Sequence, residues 1–148
     1  MKLSRTKLKK AFRKHDTLYL SETWVGNEHF MMKREYFPEI VDEISAAKFM
    51  GRAISKFATR SDAYIAKLIP TPTVKVEMTR ELYSPDFGSN FTSRKYASKD
   101  KLYDMNVWIN EHYADMFDLR CCYTDRKGFV VTDSEEAPTV IIARFKKD

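Results

Sequence analysis

Short runs in which apolar residues alternate with polar ones, each closed by turn formers, recur along this chain and constrain its fold more than any other feature. Leu102 to Ile109 sets Tyr103, Met105, Val107 and Ile109 against Asp104, Asn106 and Trp108. Further strands are expected at about Leu119 to Thr124, Gly128 to Thr132 and Thr139 to Phe145. Asp125 to Lys127 closes the first pair, and Ser134 to Pro138 leads to the last strand. There the run Val140-Ile141-Ile142-Ala143 has no polar alternation, which implies burial on both faces. Thr73 to Leu82 alternates too, with Val74, Val76 and Met78 opposed to Lys75, Glu77 and Thr79. At 148 residues this is one domain, able to bury roughly 70% of its unfolded surface without metal or disulfide.

The rest of the chain adds a hairpin and three helices. Thr17 to Val25 and Glu28 to Phe37 flank Gly26-Asn27, a pair suited to a two-residue turn with positive backbone angles. That turn puts Leu20, Trp24, His29 and Met31 on one face and Tyr19, Phe30 and Met32 on the other. Pro38 then opens a long helix in which Ile40, Ile44, Ala47, Gly51, Ile54 and Ala58 recur at helical spacing. Ser61 caps a shorter helix, Asp62 to Ile69, ended by Pro70, and Asn110 caps another, Glu111 to Phe117. The expected class is α+β, with helices packed on one face of a mainly antiparallel sheet.

Charge is distributed unevenly. Lys2, Arg5, Lys7, Lys9, Lys10, Arg13 and Lys14 all precede the first acid, Asp16, although the net charge of the chain is only +5. Ser4 can cap a helix running to about Lys14 in which Leu8, Ala11 and Phe12 form a narrow apolar seam. Residues 1 to 15 therefore read as a basic N-terminal helix, either simply solvated or facing phosphates. A second basic stretch, Ser84 to Asp100, reads as a long surface loop. Its Phe87, Phe91 and Tyr96 are interleaved with Arg94, Lys95 and Lys99, a pattern that can stack on bases while neutralising phosphates or fold back on the domain.

Several chemistries find no support. Neither GxxxxGK[ST] nor GxGxxG occurs, and four glycines offer little means of cradling a pyrophosphate. His15, His29 and His112 match no zinc spacing, and the nearest metal-like grouping, His112 with Asp115 and Asp118, reads as a solvated helix face. Cys121 and Cys122 are adjacent, so on a strand they point to opposite faces, which disfavours a disulfide or joint chelation and favours structural roles. Asp133, Glu135 and Glu136 sit in a turn and read as a solvated loop. No catalytic residue, metal or cofactor is assigned. A reducing, cytoplasmic setting is expected, since no run of about 18 apolar residues and no secretory-length apolar run after Met1 is present.

Leu18-Tyr19-Leu20 with His29-Phe30-Met31-Met32-Lys33, and Val107-Trp108-Ile109-Asn110 through Tyr113 and Phe117 to Pro138-Thr139-Val140-Ile141-Ile142, resemble small bacteriophage proteins similar to single domains of the bacterial DNA sliding clamp, the β subunit of the replicative polymerase. The resemblance implies helix and strands repeating around a two-layer domain and a role as a replication accessory. The chain has room for about one such domain, and no clamp functional residue carries over.

The expected function is binding rather than catalysis, with DNA as partner. Lys2, Arg5, Lys7, Lys9, Lys10, Arg13 and Lys14 would contact phosphates, Arg94, Lys95 and Lys99 would extend the path, and Phe91 or Tyr96 would stack. The alternative is a small phage-type inhibitor or adaptor that binds a host or replication protein through Tyr19, Trp24, Phe30 and Met31. A second copy of the chain is a further candidate partner, and a membrane is not.

Overall fold

A computed structural model describes residues 3–14, 17–40, 42, 56–59, 61–71, 74–84, 92–99, 105–125 and 130–145. The fold is mainly β, with described strands that pair antiparallel in all but one case and few short helices, so the α+β expectation holds in that coarser form. The chain divides into two compact units, Ser4–Leu68 and, in the main, Ile69–Asp148.

The first unit opens with helix α1, Arg5–Lys14. Ser4 starts it as expected, its carbonyl accepting from Leu8 N at 3.0 Å and its hydroxyl from Lys7 N at 3.4 Å. Leu8, Ala11 and Phe12 are buried, and the Phe12 ring meets Phe30 at 5.4 Å between centroids. Strands β1 (Thr17–Leu20), β2 (Trp24–Gly26) and β3 (Phe30–Lys33) follow as an antiparallel meander.

Both turns of the meander are built by side chains. Ser21 Oγ accepts from Trp24 N at 2.8 Å, so the strand expected from Thr17 to Val25 instead turns back at Glu22-Thr23. Asn27 Oδ1 accepts from His29 N at 2.8 Å and Phe30 N at 3.2 Å, which moves the second turn from Gly26-Asn27 to Glu28-His29. The extra turn reverses the alternation in β1. Tyr19 pairs with Gly26 and Leu20 with Val25, so Tyr19, Trp24, Met31 and Lys33 share one face, while Leu20, Phe30 and Met32 share the other. The Lys33 ammonium accordingly lies 5.9 Å from the centre of the Trp24 ring.

Gly26 is thus a strand residue. A Cβ there would press on the Phe30 carbonyl and come within 2.7 Å of Met31 Cα, so the crossing of β2 and β3 requires glycine for close approach.

The helix expected from Pro38 to Ala58 falls largely outside the described residues, but its end does not. Lys56–Thr59 forms strand β4, pairing in parallel with β1, from Thr17 opposite Lys56 to Leu20 opposite Thr59. Partnership with a distant strand here overrides the helical spacing that the sequence carries as far as Ala58. Within this unit the strand order is β4-β1-β2-β3. Helix α2, Asp62–Ala66, starts where expected, with Ser61 Oγ accepting from Tyr64 N at 3.1 Å, and ends earlier. Phe12 of α1 meets Phe30, whereas Tyr64 and Ile65 of α2 line a cleft with Tyr19 and Met31. Because Phe30 and Met31 point to opposite sides of β3, α1 and α2 take opposite faces of this sheet, not the single face expected.

The second unit contains strands β5 (Val74–Tyr83), β6 (Ser93–Ala97) and β7 (Asn106–Asn110), helix α3 (Glu111–Met116), and strands β8 (Cys121–Thr124), β9 (Val130–Thr132) and β10 (Val140–Ala143). Their order is β10-β9-β8-β5-β6-β7, antiparallel throughout. Val76 of β5 lies opposite Cys122 of β8, and both are buried. Val107 and Ile109 point inward from β7, and Val140, Ile141 and Ile142 are all buried, as their patterns require. The alternation expected for β5 fails beyond Glu77. A register shift between Met78 and Leu82 leaves both side chains exposed.

Asn110 Oδ1 accepts from His112 N at 2.9 Å and so caps α3. The helix closes in a Schellman arrangement, Leu119 N donating to the Ala114 carbonyl at 2.8 Å and Asp118 N to that of Asp115 at 3.1 Å. Asp118 occupies the left-handed position with φ of 48°. Tyr113, Ala114, Met116 and Phe117 are buried, and α3 packs on β6 and β7. Among the described residues, no helix is long and apolar enough to cross a membrane.

Candidate functional site

Of the residues expected to contact phosphates, those on α1 and those on or just after β6 meet different surroundings. The α1 sequence contains no acid, and its buried seam leaves Lys10 exposed and Lys7 partly so. Arg5 is exposed but engaged within the first unit, its Nη1 donating to Glu39 Oε1 at 2.6 Å and its guanidinium lying 4.5 Å from the centre of the Phe37 ring. Lys9, Arg13 and Lys14 belong to the helix backbone. Lys2 and Phe91 lie outside the described residues, as does Phe87.

The stretch read as a surface loop from Ser84 to Asp100 contains strand β6 instead, and this changes what its side chains can do. Arg94 makes a two-point bond to Glu111, Nε to Oε2 at 2.7 Å and Nη2 to Oε1 at 2.8 Å, and donates from Nη1 to the Thr79 carbonyl at 3.0 Å. Its bond to Glu111 raises the guanidinium above its ordinary range. Lys95 Nζ lies 2.9 Å from Glu81 Oε2 and Lys99 Nζ 2.8 Å from Glu77 Oε2. Lys99 is raised and Glu77 lowered from their usual values, each chiefly by this mutual bond.

Tyr96 is fully buried, and its hydroxyl donates to the Leu119 carbonyl. Burial drives its acidity far below that of an ordinary tyrosine. A ring in that position has no face to offer a base. Strand pairing therefore removes Tyr96 from the stacking set and gives Arg94, Lys95 and Lys99 each a carboxylate neighbour.

The aromatic face expected to anchor a protein partner is also interior. Trp24, Phe30 and Met31 are buried, and only Tyr19 of that set is partly exposed. Phe12 of α1 lies against Phe30, and Met31 lines a cleft with Tyr64 and Ile65 of α2. Tyr19 and Met31 join Asn27, Glu28, Tyr64, Ile65 and Leu68 around a cleft of about 220 Å³. Asn27, Tyr64, Ile65 and Leu68 carry no binding role in the sequence reading, although Tyr64 and Leu68 stand at i and i+4 of the helix expected from Asp62 to Ile69, a spacing that marks a shared face.

Cys122 is buried, which pushes its thiol up, and Cys121 is half-buried beside it on β8. Among the described residues no three His, Cys, Asp or Glu side chains gather as metal ligands. Compared with protein-family models, curated proteins and solved structures, the chain matches none.

Proposed function

We propose that this protein acts by binding nucleic acid, DNA in particular, as a replication accessory of phage type, with α1 as the element that meets the phosphates. One observation carries the reading: α1 is a ten-residue helix without an acid, anchored by buried Leu8, Ala11 and Phe12 and exposing Lys10. Such a helix concentrates positive potential along a rigid rod, and DNA presents a matching row of phosphates. Arg94, Lys95 and Lys99 are secondary in this reading, because each would first have to leave Glu111, Glu81 or Glu77.

The test is fluorescence anisotropy with labelled duplex and single-stranded DNA at ionic strengths from about 50 to 200 mM. The proposal requires binding that weakens steeply across this range. Absence of binding to both probes at the lowest salt would remove it.

A further inference from the structure

The cleft in the first unit has an electrostatic preference opposite to that of α1. Its walls are Tyr19 and Met31 of the meander, Tyr64 and Ile65 of α2, and Leu68 just after that helix. Among the described residues that line it, Glu28 alone is charged. Glu28 is exposed and stands at the turn between β2 and β3, where Asn27 Oδ1 accepts from His29 N and Phe30 N and so fixes the backbone around it. Asn27 itself is 3% exposed and offers a ligand almost no surface. Helix α2 is held to the same meander by Asp62, which accepts from Thr23 N at 3.2 Å and Thr23 Oγ at 2.6 Å. The backbones that carry the carboxylate and the two phenol rings are therefore set before any ligand arrives.

We propose that this cleft receives an arginine side chain of a partner polypeptide, with its guanidinium against the rings of Tyr64 and Tyr19, its N–H groups donating to Glu28 and its methylene stem along Ile65 and Leu68. A tyrosine ring attracts a cation, and a guanidinium, planar and weakly hydrated, suits such a wall better than an ammonium does. A carboxylate in the same wall matches its forked donors, whereas a phosphate would meet Glu28 as a like charge. The first unit contains this arrangement once already, since the Arg5 guanidinium lies 4.5 Å from the centre of the Phe37 ring while its Nη1 donates to Glu39 Oε1 at 2.6 Å. Clefts that hold drug-sized molecules run to roughly 300–1,000 Å³, so 220 Å³ suits a single side chain. No base is found among the described lining residues to hold the α-carboxylate of free arginine, which favours a side chain carried on a polypeptide.

This inference is independent of phosphate binding by α1, and its test uses ligands without phosphate. The blocked peptide acetyl-Gly-Arg-Gly-amide is titrated into the whole protein while the rings of Tyr19 and Tyr64 are followed by NMR. The same peptide with lysine, and with citrulline as the uncharged isostere of arginine, are the controls. Saturable shifts are expected with arginine, weaker with lysine and absent with citrulline, and they should diminish as salt is raised because Glu28 is exposed.

Glu28→Gln and Tyr64→Ala, both at exposed positions, should fold and each bind the arginine peptide about three- to fivefold more weakly. Tyr64→Phe keeps the ring and should bind as the parent does. No saturable shift at tens of millimolar arginine peptide, equal binding of the citrulline peptide, equal or tighter binding of the lysine peptide, or unchanged affinity in a folded Glu28→Gln variant would each overturn the assignment. Free arginine that binds more tightly than the peptide would overturn the polypeptide source. Self-association in sedimentation that Glu28→Gln abolishes would also overturn it, by giving the cleft to a second copy of this chain.

Discussion

Arg94 and Glu111 join strand β6 to the first turn of α3 through two parallel bonds of 2.7 and 2.8 Å, and the third guanidinium nitrogen holds the Thr79 carbonyl of β5. One side chain thus fastens three elements of the second unit. Lysine has the charge but not the fork, so Arg94→Lys should lose about 1–2 kcal/mol of stability, discounted for the partial exposure of Glu111. Urea denaturation of the variant measures this directly, and an unchanged midpoint would show the pair to be incidental.

Asp118 supplies the left-handed residue that closes α3, a position glycine fills without steric cost. Asp118→Gly should therefore be neutral or stabilising by up to about 1 kcal/mol. Asp118→Val, branched at Cβ, should destabilise clearly. Thermal melts of the two variants check the order.

Gly26 predicts the opposite outcome for a small addition. Its φ is not left-handed, yet a methyl group there meets backbone atoms of Phe30 and Met31. Gly26→Ala should cost about 1–3 kcal/mol, because strand backbones cannot yield as a flexible side chain can. Chemical denaturation that finds the variant as stable as the parent would mean that β2 and β3 cross less closely.

Asp62 ties α2 to the first turn of the meander, accepting from Thr23 N at 3.2 Å and Thr23 Oγ at 2.6 Å. The hydroxyls of Ser21 and then Thr23 hold its carboxyl below the ordinary aspartate value. A carboxylate lowered in the folded state stabilises fully above its unfolded value, and that contribution disappears as pH falls through the folded one. Stability should therefore decline with acid below about pH 4, and Asp62→Asn should flatten that limb. Urea midpoints at several pH values report the difference.

What the sequence reveals of this fold follows from whether the deciding interaction is local. Ser4, Ser61 and Asn110 announce their helices because a cap bonds within three residues of itself. Val140-Ile141-Ile142 announces burial because its composition admits nothing else. Gly26-Asn27 misleads because Asn27 acts as an acceptor for the backbone ahead of it and carries the turn two residues onward. Lys56–Thr59 misleads because its partner, Thr17–Leu20, is some forty residues away.

The candidate site divides in the same manner. The basic run of α1 is plain in the sequence, whereas the carboxylates beside Arg94, Lys95 and Lys99 come from β5 and α3, and only strand pairing reveals them. Asn27, Tyr64 and Leu68 come together by tertiary packing alone.

The central claim, that α1 meets phosphates, is tested most directly by the slope of log affinity against log salt on duplex DNA for the parent and for Lys10→Gln. Each phosphate contact contributes about 0.9 to that slope, so the account predicts a steep negative slope for the parent, reduced by about 0.9 in the variant. Identical slopes in a folded Lys10→Gln protein, or a parent whose affinity ignores salt, would contradict it.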